Sequence, residues 1–376
     1  MIAKNKWAIG VVLAAFLVLA MNSPLQGVDT REINRVRNKS MLDDEDRQII
    51  DRFVAEAVDE LVKTRDFTSV SRLRRGILAS RGSQVQYAEQ FSVSAHKHIS
   101  EGLKAADELT PEEHRFKVVV NLLILVDGLE DLRLVDLAIE RLNDKSPAVR
   151  YWAVHVLTNT GIKERLNSTD AADLRLARKI AEELKKLVEK SEPEVMELMA
   201  KFAAEIKIAE GKELLLAIAD VRISRYADWT VRYPLLDAII LELLCEKMTS
   251  AGAEPGVARR FGQLCSYVMQ KYIRDISGEG FLSDGQKEQL ASVLFEVEQS
   301  CIRQLFDMPQ STIIRRAVSK GDSRALLQEH NRLLGEEGRA GALALKFNFD
   351  YGRKPDGSRR TAPLTLPTRP KAKASE

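Results

Sequence analysis

The sequence predicts an all-α fold, an α-solenoid of stacked antiparallel helix pairs with irregular helical ends. Three observations predict it. Leu, Ala, Glu, Lys and Arg dominate a chain that is 45% hydrophobic and 30% charged, with 11 Pro in 376 residues, a helix-forming composition. Apolar residues recur at three- and four-residue steps along most of the chain, and strand-type alternation is hard to find. One phrase, DKSPAVRYWAVHVL at 144–157, returns in fragments further along.

Taken in order, 43–63 carries Ile49, Ile50, Phe53, Val54, Ala57, Val58 and Leu61 as one wide apolar stripe. Helices over 66–79 and 83–106 follow, separated by SRGS. TPEEHRFKVVVNLLILV then opens a helix with Thr110 as N-cap, Pro111 at the first position and two glutamates in the first turn. Helices over 132–142, 147–158, 170–190, 193–208, 210–225 and 231–248 come next. TSAGAEPG breaks the chain before 257–276, 284–306, 311–320 and 322–334.

The ends read differently. Lys4 and Lys6 precede a 13-residue apolar run, Ala8 to Ala20, and then a polar stretch with a proline. This is the layout of a signal peptide, or of an uncleaved anchor if Trp7 to Met21 spans a thinned bilayer. Either way the body is expected outside the cytoplasm, periplasmic or extracellular. The other end, YGRKPDGSRRTAPLTLPTRPKAKASE, has seven Lys/Arg against two acids. It is expected to be a disordered tail, open to anionic envelope polymers or lipid headgroups. The organisation is therefore 1–27 signal peptide or anchor, 40–250 helical repeat domain, 257–338 C-terminal helical region continuing the stack, and 339–376 basic Pro-rich disordered tail.

Pro111, Pro147 and Pro193 sit at expected helix starts, 36 and 46 residues apart. VRYWAVHVL (149–157) and VRYPLLDAI (231–239) are separated by 82 residues, two units of 41. LAIERLNDKSPAVRYWAVHVLTNTG resembles a HEAT repeat through Leu142, Asp144, Val149, Arg150, Ala153 and Leu157. The next unit has Met196 where the pattern has Arg, and the third keeps Val231 and Arg232 but places Leu235 at the Ala position. The resemblance implies a HEAT-like solenoid of stacked helix pairs in which Asp144 accepts backbone N–H groups at the turn and Arg150 reaches the turn of the neighbouring unit. Val149, Trp152, Ala153, Val156 and Thr160 share a face that Leu157 widens, and covering it requires a neighbouring pair.

Candidate chemistry is sparse. Cys245, Cys265 and Cys301 read as buried small hydrophobes, with a Cys245–Cys265 bridge as the other possibility. His96 and His98 stand two apart, too divergent on a helix to share a metal, and read as surface residues; His114 would come from another helix. His155 reads as a polar contact within the stack. DISGEGFLSDGQ (275–286) offers Asp275, Ser277, Glu279 and Ser283 in the order of a calcium-binding EF-hand loop. Gln286 stands where that loop needs a bidentate carboxylate, and Ser283 with Gln286 can instead form a capping box. In SRYADWTVRYP, Tyr226, Trp229 and Tyr233 fall at i, i+3 and i+7 beside Arg225 and Arg232. Tyr226, Trp229, Arg232 and Tyr233 are residue types that dominate recognition surfaces, or else form inter-helix core. Arg72, Arg74, Arg75 and Arg81 make a basic stretch suited to an anionic envelope partner or to solvation.

No cofactor, phosphate-binding loop or nucleophile motif is present in the sequence. A net charge of +2 provides no whole-molecule steering, and export argues against nucleic acid. Membrane contact would run only through an uncleaved N-terminal segment. The expectation is an exported helical-repeat scaffold that binds another macromolecule, a protein, without catalysis. The alternative is a cell-envelope enzyme acting on glycan or peptide, whose sign would be a deep pocket with converging carboxylates or histidines.

Overall fold

The computed structural model describes residues 30–250, 254–308 and 310–370. The signal or anchor segment at 1–27 lies outside the described residues. The described residues are all-α apart from a short antiparallel ladder, Gly335–Glu336 with Arg339–Ala340, and an isolated bridge between Arg353 and Arg359. None of the described helices is long and apolar enough to cross a membrane. The chain divides into two compact units, Met1–Ile162 and Lys163–Glu376.

The first unit contains α1 (Thr30–Val36), α2 (Asp44–Lys63), α3 (Phe67–Ala79), α4 (Val85–Asp107), α5 (Glu112–Leu129), α6 (Val135–Ile139) and α7 (Pro147–Leu157); α8 (Thr160–Leu166) runs across its end. Local chemistry sets several starts. Asp43 and Asp46 close a capping box on α2, and Asp66 accepts the Ser69 N–H to begin α3. Pro111, not Thr110, is the N-cap of α5, so that helix starts one residue later than its proline suggests. The helix expected over 132–142 is split, because the Asp131 carboxylate takes the Arg133 N–H and winds a 3₁₀ turn before α6. Along this unit α2 packs on α4, α4 on α5, α5 on α7 and α6 on α7.

The phrase at 144–157 folds mostly as expected, with two changes. Val149, Ala153, Val154, Val156 and Leu157 are buried, while Trp152 is half-buried and Thr160 is exposed at the start of α8, so the buried face includes Val154 rather than Thr160. The Asp144 carboxylate accepts the Ser146 N–H at 2.9 Å. Arg150 does not reach a neighbouring turn; it donates to the Asp144 and Lys145 carbonyls of its own turn, at 2.9 and 3.0 Å. The Asp144 carboxylate is already held by Arg115 of α5 at 2.6 Å. Arg141 makes the corresponding link to Asp107 of α4 at 2.7 Å. His155 bonds Asp127 of α5 at 3.0 Å, the polar contact expected of it. His98, expected on the surface, is buried between Asp51 at 2.9 Å and Glu101 at 3.0 Å, because α4 turns that face onto α2.

The second unit contains α9 (Ala171–Leu187), α10 (Pro193–Glu205), α11 (Ala209–Ala227), α12 (Leu235–Ser250), α13 (Pro255–Arg274), α14 (Asp284–Glu296), α15 (Arg303–Leu305), α16 (Ile313–Lys320), α17 (Ser323–Leu334) and α18 (Ala342–Phe347). π turns follow α13 at Asp275–Glu279 and α14 at Val297–Ile302. At its centre lies α13, which touches α11, α12, α14, α17 and α18. A helix packed on so many sides should be apolar all round. Phe261, Leu264, Cys265, Val268 and Met269 meet that requirement, yet Gln263, Ser266 and Lys271 are buried on the same helix.

Residues 339–370 are not a disordered tail, since they form α18, the turn bridged by Arg353 and Arg359, and an extended strap ending on α13. Tyr351 is buried against Gly262 of α13, where an added Cβ would lie 2.6 Å from the Tyr351 hydroxyl. The composition of this segment is poor in core residues, but a few anchors, Leu343, Phe347, Tyr351 and Leu366, suffice when a formed helix receives them. The cysteines are buried free thiols as expected, but the neighbour of Cys245 is Cys301 rather than Cys265. That contact and burial raise the Cys301 thiol far above its usual range.

Candidate functional site

The residues expected to bind a partner gather around one buried ion pair. Arg222 of α11 is fully buried and holds Asp237 of α12 through two bonds, 2.6 and 3.0 Å. Its remaining donors go to the Arg232 and Tyr233 carbonyls, at 3.0 and 3.3 Å. The Tyr226 hydroxyl completes Asp237 at 2.7 Å. Burial and the Asp237 charge hold the Tyr226 phenol well above its usual range, so it stays a donor. Tyr226 is therefore core and offers no surface to a partner.

The helical spacing read for Tyr226, Trp229 and Tyr233 does not exist. Helix α11 ends at Ala227, and Trp229 and Tyr233 adopt left-handed backbone, φ 58° and 50°. Bulky residues occupy that region rarely and at a cost. Arg222 supplies the compensation at Tyr233, because its guanidinium pins the carbonyls before and after the Tyr233 Cα. Tyr233 is 58% exposed, and Leu235 beside it is 46% exposed.

Trp229 instead faces the C-terminal strap. Its indole N–H donates to the Pro367 carbonyl at 3.1 Å, and its ring meets Phe281 edge-on at 5.1 Å. Gln263 of α13 bonds both the N–H and the carbonyl of Leu364, at 2.8 and 3.2 Å. Gln270 accepts the Leu366 N–H at 2.7 Å and donates to the Leu364 carbonyl at 3.1 Å. Arg274 donates to the Leu366 and Pro367 carbonyls. Residues 263, 270 and 274 share one helix face, so the strap is held by a ladder of side chains that reads its main chain. Pro363 and Leu366 are buried, while Leu364 points outward. Sequence reasoning missed this ladder, although three long polar residues on an otherwise buried helix are a usable signal.

The ladder is oriented by a second network. Gln270 also donates to Ser266 Oγ at 2.7 Å, which leaves the Ser266 proton for His330 Nε2 of α17 at 2.8 Å. His330 Nδ1–H then meets Asn331 Oδ1 at 3.0 Å, and Asn331 donates to Glu336 at 3.1 Å. This direction requires a neutral imidazole, and burial lowers the His330 pKa accordingly. Ser, His and Asn in line can make a nucleophile, but Ser266 is fully buried and its oxygen already accepts a hydrogen bond. A cavity of about 380 Å³ borders this network, lined by His330, Asn331, Glu336, Arg360 and Pro363 among others.

No family model, curated protein or solved structure matches this chain.

The calcium-type loop uses its ligands otherwise. Asp275 accepts the Leu282 N–H at 2.7 Å and pairs with Lys287 at 3.0 Å. Ser283 and Gln286 form the capping box that starts α14. Ser277 and Glu279 are exposed, and a cation bound here would have to displace Lys287. Among the described residues no group of three or more His, Cys, Asp or Glu side chains is placed to hold a metal ion. The basic stretch is dispersed: Arg75 bonds the Ser71 carbonyl of its own helix, and burial lowers the pKa of the half-buried Arg74.

Proposed function

We propose that this protein is an exported helical-repeat scaffold that binds another protein, taking an extended segment of it along α13. The observation that carries the reading is the ladder of Gln263, Gln270, Arg274 and Trp229 on the main chain of 364–367. Side chains that bond carbonyls and amide N–H groups hold any extended peptide, and buried apolar positions then select among them. The chain's own strap occupies that groove, with Leu366 as the buried anchor. The repeat part of the reading draws on the contacts of successive helices two steps apart, α2 with α4 and α5 with α7. It also draws on Arg225 of α11, which reaches the Glu189 and Ser191 carbonyls at the turn before α10. Export rests on the basic, apolar and polar order of residues 1–27.

The test uses a labelled peptide TAPLTLPTRP (361–370) and the full chain. Leu366→Asp should loosen the strap and raise peptide affinity by about tenfold or more over the unaltered chain. Adding Gln270→Ala should remove that gain. The reading fails if the peptide binds neither chain while circular dichroism reports intact helix.

A further inference from the structure

Beside the rings of Tyr226 and Trp229 sits Lys271 of α13. It is 8% exposed, and its ammonium lies 5.4 Å from the Tyr226 ring centroid and 5.8 Å from that of Trp229. Among the described residues it has neither a hydrogen-bond acceptor nor an ion-pair partner. A buried ammonium normally has both, because its desolvation must be offset. Asp237 is the acid that bears on it, and that carboxylate is spent on Arg222 and Tyr226.

Lys271 lines a cavity of about 340 Å³ together with Arg232, Pro234, Leu282, Gln286 and Leu290, and Tyr233 stands at its edge. Arg232 has no acidic partner among the described residues either. The wall thus combines one buried ammonium and one exposed guanidinium, neither with an acidic partner among the described residues, with apolar surface from Pro234, Leu282 and Leu290 and an amide from Gln289. A volume of this size is at the small end of ligand sites, which are mostly apolar with a few placed polar groups. The Tyr233 backbone, held by Arg222, sets the course of the chain at Arg232 and Pro234, which line the same cavity as Lys271.

We propose that this cavity binds an organic carboxylate with a small apolar body, its carboxylate between Lys271 and Arg232 and its body against Pro234, Leu282 and Leu290. The carboxylate belongs either to a free acid or to a peptide C-terminus. Phosphate fits less well, since phosphate sites gather several donors and backbone N–H groups, and here one ammonium and one guanidinium face apolar walls. Burial lowers the Lys271 pKa to about 8, with Asp237 opposing and Arg222 and Arg369 reinforcing that shift. Tyr226, whose phenol stays protonated, is the other titratable group at its ammonium, and Arg232 lines the same cavity. A bound anion would restore the proton, so binding should weaken as pH rises through about 8. The cavity shares no lining residue with Gln263, Gln270 and Arg274, but it adjoins the strap, because Trp229 both covers Lys271 and bonds Pro367.

The experiment is calorimetric titration of the full chain with phenylacetate, acetate, phenylacetamide and inorganic phosphate, and with acetyl-Phe as a peptide-like acid. Phenylacetate or acetyl-Phe should bind saturably and about tenfold or more tighter than acetate and phosphate, with phenylacetamide silent. Tighter binding of acetyl-Phe assigns the carboxylate to a peptide terminus, and tighter binding of phenylacetate to a free acid. Lys271→Met, which keeps the apolar stem and removes the buried charge, should fold and lose the affinity by about tenfold. Arg232→Gln, at an exposed position, should weaken it less. Equal binding to the unaltered and Lys271→Met chains, binding of phosphate in preference to phenylacetate, or no binding by either acid would overturn the proposal.

Discussion

Helices α5 and α13 each lie within their own unit under several neighbours, yet they bury different kinds of residue. Val118, Val119, Leu122, Leu123, Leu125, Val126 and Leu129 are the buried residues of α5. Its polar links, Arg115 to Asp144 and Asp127 to His155, sit toward its ends or edges. Helix α13 buries Gln263, Ser266 and Lys271 among its apolar residues, and beside it Arg222 and Asp237 form a wholly buried ion pair. Buried polar groups cost stability unless satisfied, so a helix of pure structure avoids them. Helix α5 buries apolar residues alone, while α13 buries polar side chains, some of which bond the strap. Gln263 bonds the strap, while Lys271 has aromatic rings beside it and, among the described residues, no hydrogen-bond acceptor or ion-pair partner.

The largest loss is expected at the buried pair, where the two units differ most. Arg222→Leu strands the Asp237 carboxylate and frees the carbonyls of Arg232 and Tyr233, and it should cost about 3–5 kcal/mol in chemical denaturation. The double change Arg222→Leu with Asp237→Leu should recover much of that loss; an equally destabilised double variant would mean the pair is not the cause. Asp144→Ala in the first unit should cost less, about 1–2 kcal/mol, because Arg115 retains Asp107 at 3.4 Å and some solvent. A cost equal to that of Arg222→Leu would erase the distinction between the units.

The smallest effect expected is on pH. Burial holds the folded His330 pKa below its usual 6.5. The unfolded chain therefore binds the extra proton first as pH falls. The stability that His330 contributes is fully present above pH 6.5 and is lost as pH drops through and below that value. His330→Gln should remove this part of the acid sensitivity, which the other histidines cannot mask in a difference measurement. Limited proteolysis of the 361–370 segment should follow the same pH dependence, since His330 orients Gln270 through Ser266.

Much of the fold was legible locally. Asp43, Asp66 and Asp170 cap helices where an acid precedes an apolar run, and Ser283 with Gln286 begins α14 as a capping box. The region around 226–233 also stands out in the sequence as unusual, and in the structure Trp229 touches the strap and Arg232 lines the Lys271 cavity. The roles within it were not legible. Nothing local says that Arg222 will pull the backbone at 232 and 233 out of helix, or that Tyr226 will be consumed by Asp237. The strap escaped for the same reason: its hydrogen-bond partners on α13 lie 92 to 101 residues away along the chain, and Trp229 lies 138 away.

By itself the sequence determined an all-α chain, most of its helix starts and most of the buried face of α7, because caps and apolar periodicity act between residues a few positions apart. Only the tertiary structure decided which polar residues would be buried and what they would face. Desolvation and pairing depend on groups brought together from distant parts of the chain. Gln263 and Gln270 became a ladder on the strap's main chain, and Lys271 a buried cation without an ion-pair partner among the described residues, only once α11, α12, α14 and the strap packed around α13.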